Sequence, residues 1–461
     1  MSSDVPLSPA ITDWSPASWR ERPAAQQATY PDQAALSEAL EQVHSLPPLV
    51  TSWEIHVLKK QIAEAAQGRR FILQGGECAE HFDECSAQII ANRLKVLLQM
   101  SLVLIFGIRT RVVRIGRFAG QHAKPRSADT ETRNGVTLPS YRGDIVNGAE
   151  FTPEAREPDP KRMLRAHAHS AMTLNLVRAL INTGFADLHH PEYWNLDFIR
   201  RTPLEKEYRQ ILESIRETVS FIETVSGNPL HSLERTQFFT SHEALHLPYE
   251  EAFTRSVPHN EGIFNLATHF PWIGARTSDY EGAHIEYARG LVNPIGLKVS
   301  PFMSPEDLVR IVRILNPEND PGRLVLIHRL GAGCIADLLP SLIRAVKASG
   351  TPVLWMSDPM HGNTELTETG IKTRRFENIL DELEQAFDIH AAEDSHLGGV
   401  HFELAGEDVT ECTGGAGGLE DTDLARAYKS QVDPRLNYEQ ALEMAFLIVR
   451  KKNRMENNSA Q

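Results

Sequence analysis

Four side chains of metal-binding types follow predicted strand ends at widely separated points of the sequence. They are one thiol, one imidazole and two carboxylates, namely Cys78, His361, Glu403 and Asp433. A mixed set of sulfur, nitrogen and oxygen ligands suits Mn²⁺, Fe²⁺, Co²⁺ or Zn²⁺ better than Mg²⁺ or Ca²⁺. No local spacing rule supports the set. A structural interpretation therefore stands beside it, with Cys78 as a small buried residue, His361 in a turn and Asp433 as a helix cap.

Cationic side chains form a second group near other predicted strand ends, at Arg117, Lys124, Arg126, Arg276, Lys298 and Arg329. Arginine forks match carboxylates and phosphates in two-point contacts, although most such residues in any protein are solvated surface charges. Lys298 and Arg329 lie in apolar segments, where a basic side chain needs an anionic partner. The run Lys124-Pro125-Arg126-Ser127 offers two cations and a hydroxyl to a phosphate. A metal facing such a basic pocket predicts chemistry on phosphorylated, oxygen-rich molecules.

The overall charge of the chain is acidic, although the candidate site is basic. The 461 residues include 47 Lys and Arg against 61 Asp and Glu, which gives a formal net charge of −14. A general nucleic-acid binder carries a basic footprint, so we expect no nucleic-acid partner. A site for an anionic substrate must then be a local basic cluster in a negatively charged protein.

Cysteine use and hydropathy bear on the compartment in which the protein works. The four cysteines, Cys78, Cys85, Cys334 and Cys412, form no CxxC pair, and a disulfide framework is not expected in a chain of this size. Residues 1–16 are polar and lack the apolar segment of a signal peptide. We find no apolar run of about 18 residues that would span a membrane. These features predict a cytoplasmic location and no membrane partner.

Strand-like segments alternate with helical patterns along most of the chain, which indicates an α/β fold with a parallel sheet. The candidate strands are residues 71–74, 112–117, 185–188, 237–241, 264–269, 294–299, 324–329, 353–357 and 399–404. A closed (β/α)8 barrel needs eight, so one of 185–188 and 237–241 is surplus. In such a barrel the active site lies at the C-terminal ends of the strands. The metal-type and cationic residues fall at those ends repeatedly.

Additions to the barrel are predicted at two places. Residues 1–66 are expected to form an N-terminal arm and helices that pack on the barrel, and residues 67–461 the barrel itself. A helical insertion is predicted at about 190–235, because the segment 204–225 is strongly amphipathic and charged on one face.

One motif that is typical of metal-binding sites lies in a helical pattern, where it is not expected to bind a metal. His167-Ala168-His169 resembles the HxH of metal-dependent hydrolases, but it lies in a helical pattern, where residues two apart face different ways. The sequence contains no GxGxxG, GxxxxGK[ST], GxSxG or HExxH. An unrelated barrel hydrolase is therefore a weak alternative.

Nine short motifs occur in order and together resemble one known family. They are QGGECAE at 74–80, RFAGQ at 117–121, KPRS at 124–127, YRGD at 141–144, SHEAL at 241–245, WIG at 272–274, DPMHGNT at 358–364, DVTEC at 408–412 and DPRLN at 433–437. From about residue 14 to 452 the chain resembles type II 3-deoxy-D-arabino-heptulosonate 7-phosphate (DAHP) synthases. The resemblance implies a (β/α)8 TIM barrel with an N-terminal extension and an inserted helical pair. It also implies condensation of phosphoenolpyruvate with erythrose 4-phosphate, the entry to the shikimate pathway.

The resemblance also implies roles for individual residues. Cys78, His361, Glu403 and Asp433 match the family's metal ligands, and Mn²⁺ is the first expectation among Mn²⁺, Co²⁺, Fe²⁺ and Zn²⁺. The phosphoenolpyruvate site is matched by Arg117, Arg276, Lys298 and Arg329, with Lys124 beside it. The run 124–127, which includes Arg126 and Ser127, matches the erythrose 4-phosphate loop. The residues expected to act in catalysis are Lys124, Cys78 and His361, and either Lys124 or a metal-bound water is expected to donate a proton to the new alkoxide.

Further expectations concern assembly, regulation and departures from the family pattern. Family members with both additions are usually homo-oligomers, here expected to be dimers or tetramers, and an aromatic amino acid is an expected inhibitor. Ala275, expected in the substrate site, stands where type II members usually have an acidic residue, and Glu77 replaces the usual Asp. Two alternatives stay open: the same condensation on another aldose phosphate, such as an amino sugar, or a non-catalytic paralogue.

Overall fold

The computed structural model of the chain describes residues 13–181, 205–226 and 237–459. Within it, eight parallel strands close into a barrel in which each strand pairs with the next and the last pairs with the first. In chain order these barrel strands are Arg70–Gly76, Arg111–Arg117, Phe238–Glu243, Phe270–Ile273, Ile295–Val299, Leu324–His328, Leu354–Ser357 and Leu397–Glu403. The predicted fold class, a (β/α)8 TIM barrel, is confirmed.

Helices and short hairpins fill the connections between the barrel strands. The described helices are Gln33–Ser45, Ser52–Ala66, Ala87–Ile108, Pro153–Arg156, Arg162–Ile181, Glu205–Ser226, Leu247–Ala252, Ala283–Arg289, Pro305–Leu315, Ile335–Ser349, Phe376–Ala392 and Tyr438–Ser459. Among the described residues, three antiparallel hairpins lie outside the barrel, formed by Thr130–Arg133 with Val136–Pro139, Thr254–Val257 with Asn260–Asn265, and Thr364–Leu366 with Lys372–Arg374.

Nine strands were predicted for a barrel of eight, and either 185–188 or 237–241 was expected to be the extra one. The segment 237–241 corresponds to the third barrel strand, Phe238–Glu243. The competing segment 185–188 lies outside the described residues. The prediction of a barrel strand at 264–269 is wrong, because the fourth barrel strand is Phe270–Ile273. Pro271 lies inside that strand, and a proline argues against a central strand in any sequence-based assignment.

Helix Ser52–Ala66 covers the N-terminal end of the barrel. It begins with a capping box in which the Glu54 carboxylate accepts from the Thr51 backbone N–H at 2.9 Å. Its buried residues Leu58 and Ile62 pack with side chains from all but two of the barrel strands, namely Ile72, Val113, Ile115, Phe239, Phe270, Val325, Ile327, Leu354 and Met356. This end of the barrel is therefore an apolar core, while polar side chains collect at the opposite end. The domain boundary at residue 66 stays a prediction.

Helix Ala87–Ile108 corrects one expectation drawn from the sequence. By length and composition it could cross a membrane, contrary to the prediction that no such apolar run exists. In the sequence the charged residues Arg93 and Lys95 and the polar residues Gln99 and Ser101 interrupt the apolar residues of this helix, so no continuous apolar run is visible. In the structure 67% of its most apolar window is buried. The helix packs against Tyr438–Ser459 and the first two barrel strands, as expected for a core helix.

The predicted insertion is described only in part. The amphipathic segment 204–225 forms helix Glu205–Ser226. Tyr208 on this helix stacks on Phe446, with ring centroids 4.5 Å apart, and both residues are buried. Residues 182–204 and 227–236 lie outside the described part of the chain, so the predicted helical pair stays a prediction.

Candidate active site

A polar cavity opens at the C-terminal ends of the barrel strands. Side chains from the ends of all eight barrel strands and their following loops line it, namely Cys78, Arg117, Gln121, Lys124, Pro125, Glu243, Trp272, Gly274, Ala275, Arg276, Lys298, Arg329, His361, His401 and Asp433. Nine of these residues were predicted from the sequence as site residues. The cavity combines thiol, imidazole and carboxylate groups with five Lys and Arg side chains, so it suits both a cation and an anionic ligand.

Three of the predicted metal ligands converge although more than 350 residues separate the first from the last. Ligand atoms of Cys78, Glu403 and Asp433 all lie within 4.8 Å of one another. His361 completes the set, because its Nε2 lies 3.0 Å from Glu403 Oε1. One sulfur, one nitrogen and carboxylate oxygens at this spacing fit a divalent transition metal. The four residues therefore suit the expected metal.

A buried ion-pair network holds the two loops that carry Cys78 and Asp433. Glu77 precedes Cys78 and accepts from Arg93 at 2.7 Å and from Arg435. Arg435 also forks onto Glu411, with Nη2 2.7 Å from Oε1 and Nε 3.0 Å from Oε2. A buried charge needs a partner of opposite charge, and Glu77 and Arg435 each have two such partners. Arg435 thus ties the end of the first barrel strand to the loop of Asp433.

The turn after the first barrel strand depends on a glycine. Gly76 adopts φ +144°, and a Cβ at this position would lie 2.9 Å from the Arg117 carbonyl oxygen. The Glu77 N–H donates to that same oxygen at 3.1 Å. The glycine therefore allows the close backbone approach that directs Cys78 into the cavity.

His361 is oriented by a carboxylate on its far side. Asp358 Oδ2 lies 2.8 Å from His361 Nδ1, so Nδ1 carries the proton and Nε2 is free to bind a metal. Burial disfavours ionisation of Asp358, but His361 and Lys298 together hold the pKa of its carboxyl well below the usual range. Lys298 contacts the same carboxylate, and burial lowers the pKa of Lys298 to about 8. Asp358 therefore links the predicted metal ligand His361 to a cation of the cavity.

Glu403 is held in its charged form by three neighbours. Burial opposes ionisation, yet His361, Arg374 and Arg117 keep the pKa of Glu403 well below its usual range. Arg374 Nη1 lies 2.6 Å from Oε2, and Arg117 Nη2 lies 3.1 Å from Oε1. Arg374 was missed in the sequence because it lies in a short hairpin strand with no apolar pattern around it. Sequence position gave no signal for its role.

Lys124 lies between the thiol and the carboxylate of the ligand set. Its Nζ is 2.7 Å from Cys78 Sγ and 2.5 Å from Asp433 Oδ2. Burial, followed by the charge of Glu403, raises the pKa of the Cys78 thiol, while Lys124 opposes the rise. A metal is the usual means by which such a buried thiol becomes a thiolate. Lys124 can donate a proton to any oxygen placed beside these ligands.

The remaining predicted cations divide into two groups. Arg117, Lys298 and Arg329 lie around the cavity wall, whereas Arg276 lies at its exposed rim and donates to Ser127 Oγ at 3.1 Å. Arg126 and Ser127 are not among the lining residues, and Arg126 pairs with Glu131 at 2.9 Å. Ser127 therefore joins the site through Arg276.

Three lining residues, His401, Trp272 and Glu243, were not predicted as site residues from the sequence. His401 Nε2 accepts from Arg117 Nη1 at 2.8 Å, and His401 Nδ1 lies 2.7 Å from Gln74 Oε1, which fixes its neutral tautomer. Trp272 lies under the Arg117 guanidinium, 5.2 Å from Cζ to the ring centroid. Burial raises the pKa of Glu243, whose Oε1 has no hydrogen-bond partner within the described residues. Each lies within the last three residues of its barrel strand, and this position near the C-terminal end was the available signal.

The motif His167-Ala168-His169, which was not predicted to bind a metal, lies away from this cavity. His167 and His169 both belong to helix Arg162–Ile181. His167 Nε2 lies 3.0 Å from the Pro47 carbonyl oxygen, while His169 stacks on Phe82 with ring centroids 4.7 Å apart. The two imidazoles therefore have different surroundings, as the helical pattern predicts.

Comparison with known proteins gives consistent matches over almost the whole chain. The model of the class-II DAHP synthetase family matches residues 14–449. A protein of Neurospora crassa named phospho-2-dehydro-3-deoxyheptonate aldolase is 46% identical, over 95% of this chain and 94% of that protein. A protein of the same name from Streptomyces coelicolor is 47% identical, over 93% of this chain and 95% of its own length. A solved aldolase of that name from Francisella tularensis SCHU S4 covers 93% of this chain and 98% of its own, at 14% identity and a TM-score of 0.47.

The fold and the cavity indicate the class of protein, which is a (β/α)8 barrel enzyme with a candidate metal site that faces a cationic pocket. The family match and the two relatives then fix the family, and the chain belongs to the class-II DAHP synthetase family. The resemblance seen in the sequence motifs is confirmed. The chain is a DAHP synthase, the enzyme of the first step of the shikimate pathway.

Proposed function

We propose that this cavity condenses phosphoenolpyruvate with erythrose 4-phosphate, and that Cys78, His361, Glu403 and Asp433 hold a divalent metal, Mn²⁺ before Co²⁺, Fe²⁺ or Zn²⁺. The observation that carries the proposal is the convergence of these four ligands beside the cationic wall of the cavity. When bound there, the metal supplies Lewis-acid polarisation of the aldehyde carbonyl.

The cationic wall is proposed to bind phosphoenolpyruvate. Arg117, Lys298 and Arg329 contribute three cations to one cavity, which matches the carboxylate and phosphate charges of that substrate. Trp272 and His401 fix the Arg117 guanidinium from its face and its edge. A preorganised guanidinium stabilises developing charge without reorganisation during the reaction.

The second substrate is proposed to lie toward the exposed rim. Arg276 and Ser127, joined by a 3.1 Å hydrogen bond, would bind the phosphate of erythrose 4-phosphate with Arg126 nearby. Ala275 leaves room beside Arg276 because its side chain is a single methyl group. With its phosphate bound at the rim, the sugar would have its aldehyde between the rim and the proposed metal ligands.

The bond changes then follow from the positions of the two substrates. C3 of phosphoenolpyruvate attacks the aldehyde carbon, water adds at C2, and the C2–O bond to phosphate breaks with release of inorganic phosphate. Lys124 donates a proton to the alkoxide that forms at the former aldehyde oxygen, a role that its place between Cys78 and Asp433 supports.

Phosphate release from phosphoenolpyruvate and erythrose 4-phosphate tests the proposal. We expect turnover to be lost after chelation, restored by Mn²⁺ or Co²⁺, and abolished in Cys78→Ala and His361→Ala. Cys334→Ala is the matched control, because this thiol is exposed. Turnover that survives complete metal removal, or folded protein with no turnover under any metal, would contradict the proposal. Turnover with an amino-sugar phosphate alone would redirect it to that substrate.

We also infer finer properties from family membership. The chain is proposed to act in the cytoplasm as a homo-oligomer, a dimer or a tetramer, and to be inhibited by an aromatic amino acid. Light scattering of the purified protein tests the assembly. Turnover in the presence of each aromatic amino acid tests the inhibition.

A further inference from the structure

The loops that follow the sixth and seventh barrel strands touch each other backbone to backbone. Arg329 Nη2 donates to the carbonyl oxygen of His361 at 2.5 Å. Gly331 adopts φ +89°, and a Cβ there would lie 2.9 Å from the Gly362 carbonyl oxygen. The proposed phosphoenolpyruvate arginine and the proposed metal histidine therefore lie on two loops in direct contact.

A single buried carboxylate bridges these two loops from behind. Glu382 lies on helix Phe376–Ala392 with no solvent exposure. Its Oε1 accepts from the Leu330 N–H at 2.8 Å, and its Oε2 accepts from Asn363 Nδ2 at 2.7 Å. Asn363 Oδ1 in turn accepts from the Ala332 N–H at 3.0 Å, which closes a ring of hydrogen bonds between the loops.

Glu382 has no salt bridge to a cation anywhere in the described part of the chain. Burying a carboxyl group without a counter-ion costs free energy, so this group is a poor choice for stability alone. Its two oxygens instead meet one donor from each loop, two residues from His361 on one side and one from Arg329 on the other. The geometry points to a role in fixing the distance between the loops.

We propose that Glu382 is a positioning residue that holds Arg329 and His361 at the separation required for phosphoenolpyruvate and the metal to bind together. The inference rests on the proposed function, because it takes the substrate role of Arg329 and the ligand role of His361 from there. Glu382 itself touches neither substrate nor metal. Its effect reaches the cavity through Leu330 and Asn363.

Glu382→Gln is the decisive variant because it changes few atoms. A carboxamide keeps an acceptor for the Leu330 N–H but places an N–H donor opposite Asn363 Nδ2, which is also a donor. The Asn363 amide cannot rotate to present its oxygen instead without losing the hydrogen bond from the Ala332 N–H. We expect the KM for phosphoenolpyruvate and the Kd for Mn²⁺, measured by calorimetry on metal-free protein, each to rise about tenfold. We expect kcat at saturating substrate and metal to change less than either.

Two further variants make the test specific. Glu384→Gln makes the same chemical change two residues along the same helix and should leave KM, Kd and kcat at wild-type values. Asn363→Ala breaks the ring from the other side and should give the shifts of Glu382→Gln. The double variant should show no further loss, because both changes break one connection.

Contradictory outcomes are equally clear. A lowered melting temperature in Glu382→Gln with wild-type KM and Kd would contradict the proposal, because Glu382 would then contribute only to stability. If that variant does not fold, wild-type values in Asn363→Ala would overturn the proposal instead. Arg329→Ala and His361→Ala, measured for substrate and Mn²⁺ binding respectively, test the underlying roles separately, so a failure there is distinguishable from a failure of Glu382.

Discussion

The guanidinium of Arg374 lies 2.6 Å from Oε2 of Glu403, and both side chains are completely buried. Arg374 also donates to the carbonyl oxygen of Pro434, the residue after Asp433. One arginine therefore touches one proposed metal ligand and the backbone next to another. Residues of this kind, which contact ligands rather than the metal, orient the ligands and tune the metal.

Arg374→Lys keeps the charge but removes the planar guanidinium, whose Nη1 contacts both Glu403 and the Pro434 carbonyl oxygen while its Nε donates to Thr364 Oγ1 at 2.8 Å. We expect the affinity for Mn²⁺ to fall by about tenfold or more, because Glu403 and the Asp433 loop are no longer held together. Calorimetric titration of metal-free protein measures the change. Arg375→Lys is the matched control, since Arg375 is exposed and pairs with Glu365 at 2.7 Å; an equal loss in that variant would contradict the assignment.

Asp358→Asn tests the orientation of His361. Asp358 Oδ2 accepts from both His361 Nδ1 and Lys298, and Oδ1 accepts from the Met360 N–H. An amide is uncharged and keeps only one acceptor oxygen, so the contacts that orient the imidazole and hold Lys298 are weakened. We expect Mn²⁺ affinity to fall by roughly 10–100-fold and the KM for phosphoenolpyruvate to rise as Lys298 relaxes. The exposed Asp337→Asn should change neither quantity. Unchanged Mn²⁺ affinity in a folded Asp358→Asn protein would count against His361 as a ligand.

Arg435→Leu tests the buried network beside Cys78. Removing this guanidinium leaves Glu411 and one oxygen of Glu77 without their partner in the core. Breaking a buried pair in this way costs about 3–5 kcal/mol of unfolding free energy. Urea denaturation of metal-free protein measures it. Arg426→Leu removes a pair that is 61% exposed on the arginine side, and its cost should stay below about 1 kcal/mol.

The barrel was predictable from the alternation of strand-like and helical segments, and the site from polar residues at strand ends. The fourth barrel strand was misplaced because Pro271 inside it weakens the local strand pattern, while the pairing with its neighbours outweighs that preference. Arg374 and Glu382 were not predictable, because their partners, Glu403 and Asn363, are distant in sequence. Such long-range contacts leave no local pattern that a single sequence displays.

The stability of the protein should depend on pH through Glu382. Burial raises the pKa of this carboxyl to about 7, with the nearby Asp358 adding to the effect. Between the ordinary value of 4.5 and about 7 the folded state keeps a proton that the unfolded state releases, so this group's contribution to stability falls as pH rises across that window. The full change is about 3 kcal/mol.

The comparison between variants isolates that contribution. Relative to wild type, Glu382→Gln should gain unfolding free energy as pH rises from about 5 to 7, because the amide does not ionise. Melting temperatures of both proteins across this range measure the trend. Glu384→Gln should track wild type at every pH. Parallel curves for wild type and Glu382→Gln would show that Glu382 keeps an ordinary pKa.

Pairing of the first barrel strand with the last, with Gly76 opposite Glu403, has a consequence for biosynthesis. During translation Cys78 emerges long before Glu403 and Asp433, because more than 320 residues separate it from the nearer of the two. The proposed metal site is therefore incomplete until the first and last barrel strands pair, and a metal ion would bind there only after the barrel has closed. A bound ion would then link Cys78, after the first barrel strand, to Glu403, at the end of the last, and would stabilise the closed barrel over the open chain.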